Sequence, residues 1–194
     1  AFIAGAMVTP LLVRRANHVT VITTGLFLAA LGFGLLSTAT STTHPALVTA
    51  AFAIYSLGLA PVFTLATTIV MDSAPPHQAG VVAAVSETAS ELGGALGIAL
   101  LGSLGAAAYR QSMKNFSLEG LPPQATLLAK DAFATTIEMG QSLTGIDGAS
   151  LVDAARIAFM TGLRFGALAA ILALLAGAMI ALRYLPSRPH RAAA

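Results

Sequence analysis

The sequence predicts an all-α fold, a polytopic membrane helical bundle. Composition points there first: the 194 residues are 56% hydrophobic and only 9% charged, whereas a soluble domain carries about 25% charged residues. So little polar surface could not cover a globule in water, and the mean hydropathy is +0.82. The apolar residues also fall into runs of roughly 20 residues or more with little or no charge, the length that crosses hydrocarbon as a helix. Finally, the breaks between the first four of these runs are short and hold arginine, histidine or paired prolines. The chain has no Cys, which excludes disulfides, Cys-ligated metals and thiol chemistry.

In chain order, residues 1–13, AFIAGAMVTPLLV, are too short to span a bilayer. They are expected to be the end of a truncated transmembrane helix, and the chain a C-terminal fragment whose first partner is the missing N-terminal part of the same polypeptide. Arg14 and Arg15 begin a tight basic loop, RRANH. Residues 19–39 are uncharged and of spanning length, with Gly25, Gly32 and Gly34 inside them; small residues let helices approach closely in lipid. STTHP, residues 41–45, is a polar turn. The span 46–71 contains Gly58 and Pro61. A proline in a helix interior removes a donor and clashes with the preceding turn, so a kink is expected at Pro61, serving either packing or a hinge.

Pro75 and Pro76 stop that helix in the loop DSAPPHQA. The next span, 80–108, carries two carboxylates, Glu87 and Glu91. Four residues apart, they share a helix face. At about 100° per residue, Gly94, Ile98 and Gly105 fall within roughly 20° of Glu87. Two acids and two glycines make a poor lipid face and suit a packed interior or a watered cavity, and an intramembrane carboxylate is a functional-site hypothesis by default. Gly93 and Gly97 form a small-xxx-small pair that predicts close helix packing. The competing reading is a helix start at Thr88: TASE fits a capping box, and both acids would then be interfacial. Pro75 and Pro76 offer an earlier stop, which favours the buried pair.

Residues 111–153 are too charged to span. They read as a loop containing an amphipathic helix over QATLLAKDAFATTIEMGQSL, with Pro122 and Pro123 before it. The last span is 157–182, with Arg164 near its interface, as an anchor or as the partner of an acid. Residues 183–194 are a basic tail, expected to be disordered. The short segments on one side hold Arg14, Arg15, Arg183, Arg188 and Arg191, and this excess assigns that side to the cytoplasm. The loop 111–153 is then extracytoplasmic and the tail cytoplasmic. With Gly80 at the hydrocarbon boundary, Glu87 lies roughly 10 Å deep and Glu91 roughly 16 Å deep in a core of about 30 Å.

No HExxH, GxSxG or P-loop pattern occurs. The four His lie in loops or the tail without ligand spacing. The basic residues are too scattered for nucleic acid. The expectation is therefore no enzyme, no cofactor, no metal and no nucleic-acid partner. From the residues alone, a transporter, a non-transporting membrane scaffold and a channel with acids in a ring all stay open.

The block from Ala60 to Ser103, APVFTLATTIVMDSAPPHQAGVVAAVSETASELGGALGIALLGS, resembles the C-terminal part of the fourteen-helix drug:proton antiporters. These are a branch of the major facilitator superfamily that includes quaternary-ammonium and methyl-viologen efflux pumps. PLLVRRANHVTVITTGL, residues 10–26, is similar to the basic inter-helix loop of that half, without its glycine and aspartate. The resemblance implies the partial C-terminal half of a major facilitator fold in a bacterial inner membrane. It implies multidrug efflux of cationic or lipophilic compounds in exchange for protons, with Glu91 and Glu87 at the positions that bind protons or cations. Burial favours the neutral form of a carboxylate, and a second acid nearby discourages both from ionising together. Such a pair can exchange a proton for a cation.

Overall fold

The computed structural model describes residues 1–114, 133–142 and 146–185. Among them, helices α1 (Phe2–Arg15), α2 (His18–Ser37), α3 (Pro45–Asp72), α4 (Ala79–Lys114), α5 (Phe133–Ser142) and α6 (Ile146–Tyr184) follow one another, with a single turn of 3₁₀ helix at Pro76–Gln78 before α4. There is no strand among the described residues. Four of the described helical segments are long and apolar enough to cross a membrane. The fold is an all-α membrane helical bundle.

α2 is the central helix. It lies along α3 on one side and α6 on the other; α1 packs on the far side of α3, and α4 on α6. Half of the most apolar stretch of α2 is buried, against 6% for α4. The core gathers Val21, Ile22 and Leu26 of α2, Leu65 of α3 and Ala178 and Ala181 of α6.

Glycines set the approach of α2 to α3. A Cβ on Gly58 would lie 2.5 Å from the Gly25 carbonyl oxygen and 2.6 Å from the Ala29 nitrogen. One on Gly32 would lie 2.7 Å from the Tyr55 nitrogen. Backbones so close leave no room for side chains, which is how small residues bring membrane helices together. Hydroxyls along these helices donate back to their own backbones, Thr9 to the Gly5 carbonyl at 2.9 Å and Thr23 to the Val19 carbonyl at 2.7 Å. These bonds satisfy the hydroxyls inside the bundle.

The turns follow their residues. Thr40 and Thr43 close the one between α2 and α3, Thr43 N–H donating to the Thr40 carbonyl at 3.0 Å and the Thr40 N–H to Thr43 Oγ1 at 2.7 Å. His44 caps α3, its Nδ1 accepting from the Ala46 N–H at 3.2 Å, with Pro45 in the first helical position.

The last two long helices depart from their expected lengths. α6 begins at Ile146 rather than near 157, and α4 runs on from 108 to Lys114. At about 1.5 Å per residue they reach roughly 59 and 54 Å, well beyond a hydrocarbon core of about 30 Å. The extensions have a stripe of their own: Tyr109 and Met113 of α4 pack on Leu151 and Ala158 of α6. Residues judged too charged to span are thus helical because two projecting helix ends bury each other. α5 packs onto this pair and lies within the predicted amphipathic segment. Residues 124–132 and 143 of that segment, and 186–194 of the tail, lie outside the described residues.

Candidate functional site

The acid-bearing helix starts where the prolines dictate. Pro75 and Pro76 cannot continue α3, the Gln78 N–H donates to the Pro75 carbonyl at 2.8 Å, and α4 runs unbroken from Ala79. The capping-box reading therefore fails. Thr88 is in mid-helix and donates to the Ala84 carbonyl at 2.8 Å, and Ser90 donates to the Ser86 carbonyl at 3.0 Å. Glu87 and Glu91 sit on successive turns of a continuous membrane helix.

Both acids are exposed in this chain. So is the next part of their stripe: Ile98 is 79% exposed, and a Cβ on Gly94, or on the neighbouring Gly93 or Gly97, would meet nothing within 4 Å. The close packing expected around these glycines is not supplied by the described residues. The reason lies further along α4. Gly105, on the acid stripe, is the point where α6 crosses, with a Cβ on Gly162 only 2.6 Å from the Gly105 carbonyl oxygen. Beyond the crossing, α6 turns its Ala178 and Ala181 to α2. The first half of α4 is left with its carboxylates uncovered. Two shallow hollows on that half, about 500 and 640 Å³, are walled by Val81, Val85 and Ala89 and leave both acids outside.

The other residues singled out in the sequence lie elsewhere. Gly58 is at the α2–α3 crossing and Pro61 is buried one turn on, in an α3 that stays helical through it. Arg14 and Arg15 are exposed in the last turn of α1, where cations complement the helix dipole. Arg164 does not pair with an acid among the described residues. It donates to the Ala39 carbonyl at 3.3 Å, just past the end of α2. The buried hydrogen bond between Tyr109 and Thr136, 2.9 Å long, ties α5 to α4. Its partners are 27 residues apart, and no local pattern announces it.

Residues 1–98, from α1 through both acids, match the Major Facilitator Superfamily. The chain belongs to this superfamily. The chain is 31% identical over 180 residues to the multidrug efflux pump LfrA of Mycolicibacterium smegmatis, covering 93% of this superfamily member and 35% of the pump. It is 30% identical over 158 residues to the methyl viologen resistance protein SmvA of Salmonella typhimurium, covering 81% and 30% respectively. It is 25% identical over 166 residues to the tetracenomycin C resistance and export protein of Streptomyces glaucescens, covering 83% and 31%. The chain thus spans about a third of the length of these relatives. No solved structure matches it significantly. The resemblance to drug efflux pumps, read from Ala60 to Ser103, agrees with the names of these relatives. As a member of the superfamily with four apolar helices of spanning length among the described residues, the protein is an integral membrane protein.

Proposed function

We propose that the chain is part of a multidrug efflux transporter of a bacterial inner membrane. It exports cationic or lipophilic compounds in exchange for protons, and Glu91 and Glu87 carry the exchange. The observation behind this reading is the acid stripe: two carboxylates on successive turns of a membrane helix, exposed in this chain and flanked by glycines. Carboxylates facing lipid are too costly to keep. The stripe therefore borders a watered cavity or a further protein surface, where a protonated pair is neutral and an ionised pair attracts a cation. Relatives named as drug efflux or resistance proteins support the substrate class.

In this reading Arg14, Arg15 and the loop at residues 73–78 face the cytoplasm, and the turn at residues 38–44 faces outward. The acids then enter from the cytoplasmic end, with Glu91 nearer the midplane. The experiment is drug-induced proton movement in proteoliposomes holding the protein. Transport predicts a proton flux that starts when a cationic drug is added and saturates with its concentration. A drug-independent conductance would instead make the protein a channel, and no flux at all a scaffold.

A further inference from the structure

A second feature surrounds the Gly105–Gly162 crossing, both glycines being part of its wall. The end of α2, the second half of α4 and the first half of α6 line a half-open cavity of about 480 Å³. Its walls include Phe33 and Leu36 of α2, Tyr109 of α4 and Phe159 and Leu163 of α6, and Phe133 of α5 joins them. The volume falls within the range of small-ligand sites, about 300–1,000 Å³. Glycines keep the cavity open. Gly102 lines it and a Cβ there would meet nothing within 4 Å, while the close contact of Gly105 and Gly162 fixes the separation of α4 and α6.

The lining decides the kind of ligand. It contains no charged side chain, so a cation entering it would find aromatic faces but no counter-charge. The Tyr109 hydroxyl is already bonded to Thr136. Aliphatic and aromatic surface remains, and leaving it empty forgoes the dispersion contacts of the whole lining. The level of the cavity decides more. Leu36 is in the last turn of α2, and the polar turn from Thr38 to His44 follows directly. The cavity therefore opens where hydrocarbon gives way to headgroups. Arg164 stands at that level, next in sequence to the lining residue Leu163. It is exposed, and its bond to the Ala39 carbonyl leaves further guanidinium donors for another acceptor.

We propose that this cavity holds one acyl chain of an anionic phospholipid whose headgroup phosphate is bound by Arg164. A planar guanidinium matches a phosphate with paired, charge-assisted hydrogen bonds. A neutral lipophilic compound could fill the same volume but would not use the arginine, so headgroup dependence separates the two. The site shares Gly105 with the acid stripe but contains neither acid, and it stands whether or not the stripe carries protons.

The chain has no Trp, which makes a tryptophan reporter informative. Phe159→Trp places one in the cavity wall, and the protein without the reporter gives the background. The purified protein is reconstituted in bilayers mixing dibrominated phosphatidylglycerol or dibrominated phosphatidylcholine with unbrominated lipid, and quenching is titrated. The expected result is a preference for phosphatidylglycerol of about tenfold. Arg164→Gln should bring that ratio close to one while quenching persists. Gly102→Leu, which fills the cavity from an open position, should remove quenching by both lipids. Gly34→Leu, equally open but outside the lining, should change neither. Equal quenching by the two lipids in the parent protein would overturn the proposal, as would full quenching in Gly102→Leu. Displacement of both lipids alike by a neutral lipophilic dye would also overturn it, and would assign the cavity to small molecules.

Discussion

Gly105 of α4 and Gly162 of α6 meet backbone to backbone, but not symmetrically. A Cβ on Gly162 would come within 2.6 Å of the Gly105 carbonyl oxygen, whereas one on Gly105 would stand 3.5 Å from the Gly162 carbonyl oxygen. The crossing has two consequences. It forms part of the wall of the apolar cavity, and the acid-bearing part of α4 that precedes it is left uncovered by α6.

The asymmetry predicts unequal effects of the same methyl group. Gly162→Ala forces a backbone to shift and should cost about 1–3 kcal/mol of stability. Gly105→Ala adds an ordinary contact and should stay within about 0.5 kcal/mol of the parent. Thermal unfolding of the two variants in detergent, compared at equal protein, reads the difference. Equal losses would mean that the crossing is not as close as described.

The hydrogen bond between Tyr109 and Thr136 should couple α5 to the end of α4. In a double-mutant cycle of Tyr109→Phe and Thr136→Val, the coupling energy should be about 0.5–1.5 kcal/mol. The test is thermal or denaturant unfolding of the four proteins. Strict additivity would show that the two hydroxyls do not act on each other.

Much of this architecture is legible in the residues. The scarcity of charge gives the membrane class, and the expected span 46–71 and the expected start at 80 after Pro75 and Pro76 lie within one residue of α3 and of the start of α4. What escapes the sequence is whatever depends on a partner distant in the chain. The start of α6 at Ile146 follows from Leu151 and Ala158 finding Tyr109 and Met113, while bilayer length alone argues for a start near 157. Arg164 has the look of an interfacial anchor, but its contact with Ala39 spans 125 residues. The acid stripe is half legible. Spacing puts Glu87, Glu91, Gly94 and Gly105 on one face, yet only Gly105 is packed within this chain, because α6 leaves α4 at that glycine.

Sidedness gives a direct prediction. Cysteines introduced at Ser41 and at His77, both exposed between helices, should react with an impermeant thiol reagent from opposite sides of the membrane. The native chain has no Cys to confuse the signal. Reaction of both from the same side would refute the proposed orientation.

Pro61 lies one turn beyond Gly58, the residue that pins α3 to α2. A proline there leaves the Leu57 carbonyl without its usual helical donor, a weak point suited to bending. If the transporter bends α3 at this point, Pro61→Ala should slow drug efflux several-fold at unchanged membrane abundance, measured with a fluorescent substrate in cells. Unchanged efflux would leave Pro61 a packing residue.

The acid pair is the central claim, and charge can be separated from shape. Gln keeps the size and hydrogen bonding of Glu but cannot ionise, and replacing an ionisable group in the membrane removes a desolvation cost, so the variants should still reach the membrane. Glu91→Asp should retain partial activity, because the charge remains. Glu87→Gln should lose less activity than Glu91→Gln, since Glu87 lies one turn closer to the α4 start. The decisive measurement is drug-induced proton release in proteoliposomes of the Glu91→Gln protein, compared with the parent at equal protein. Loss of at least ~90% of the rate, about 1.4 kcal/mol in the barrier, is the predicted result. A parental rate in Glu91→Gln would contradict the account, because the proton would then be carried without this carboxylate.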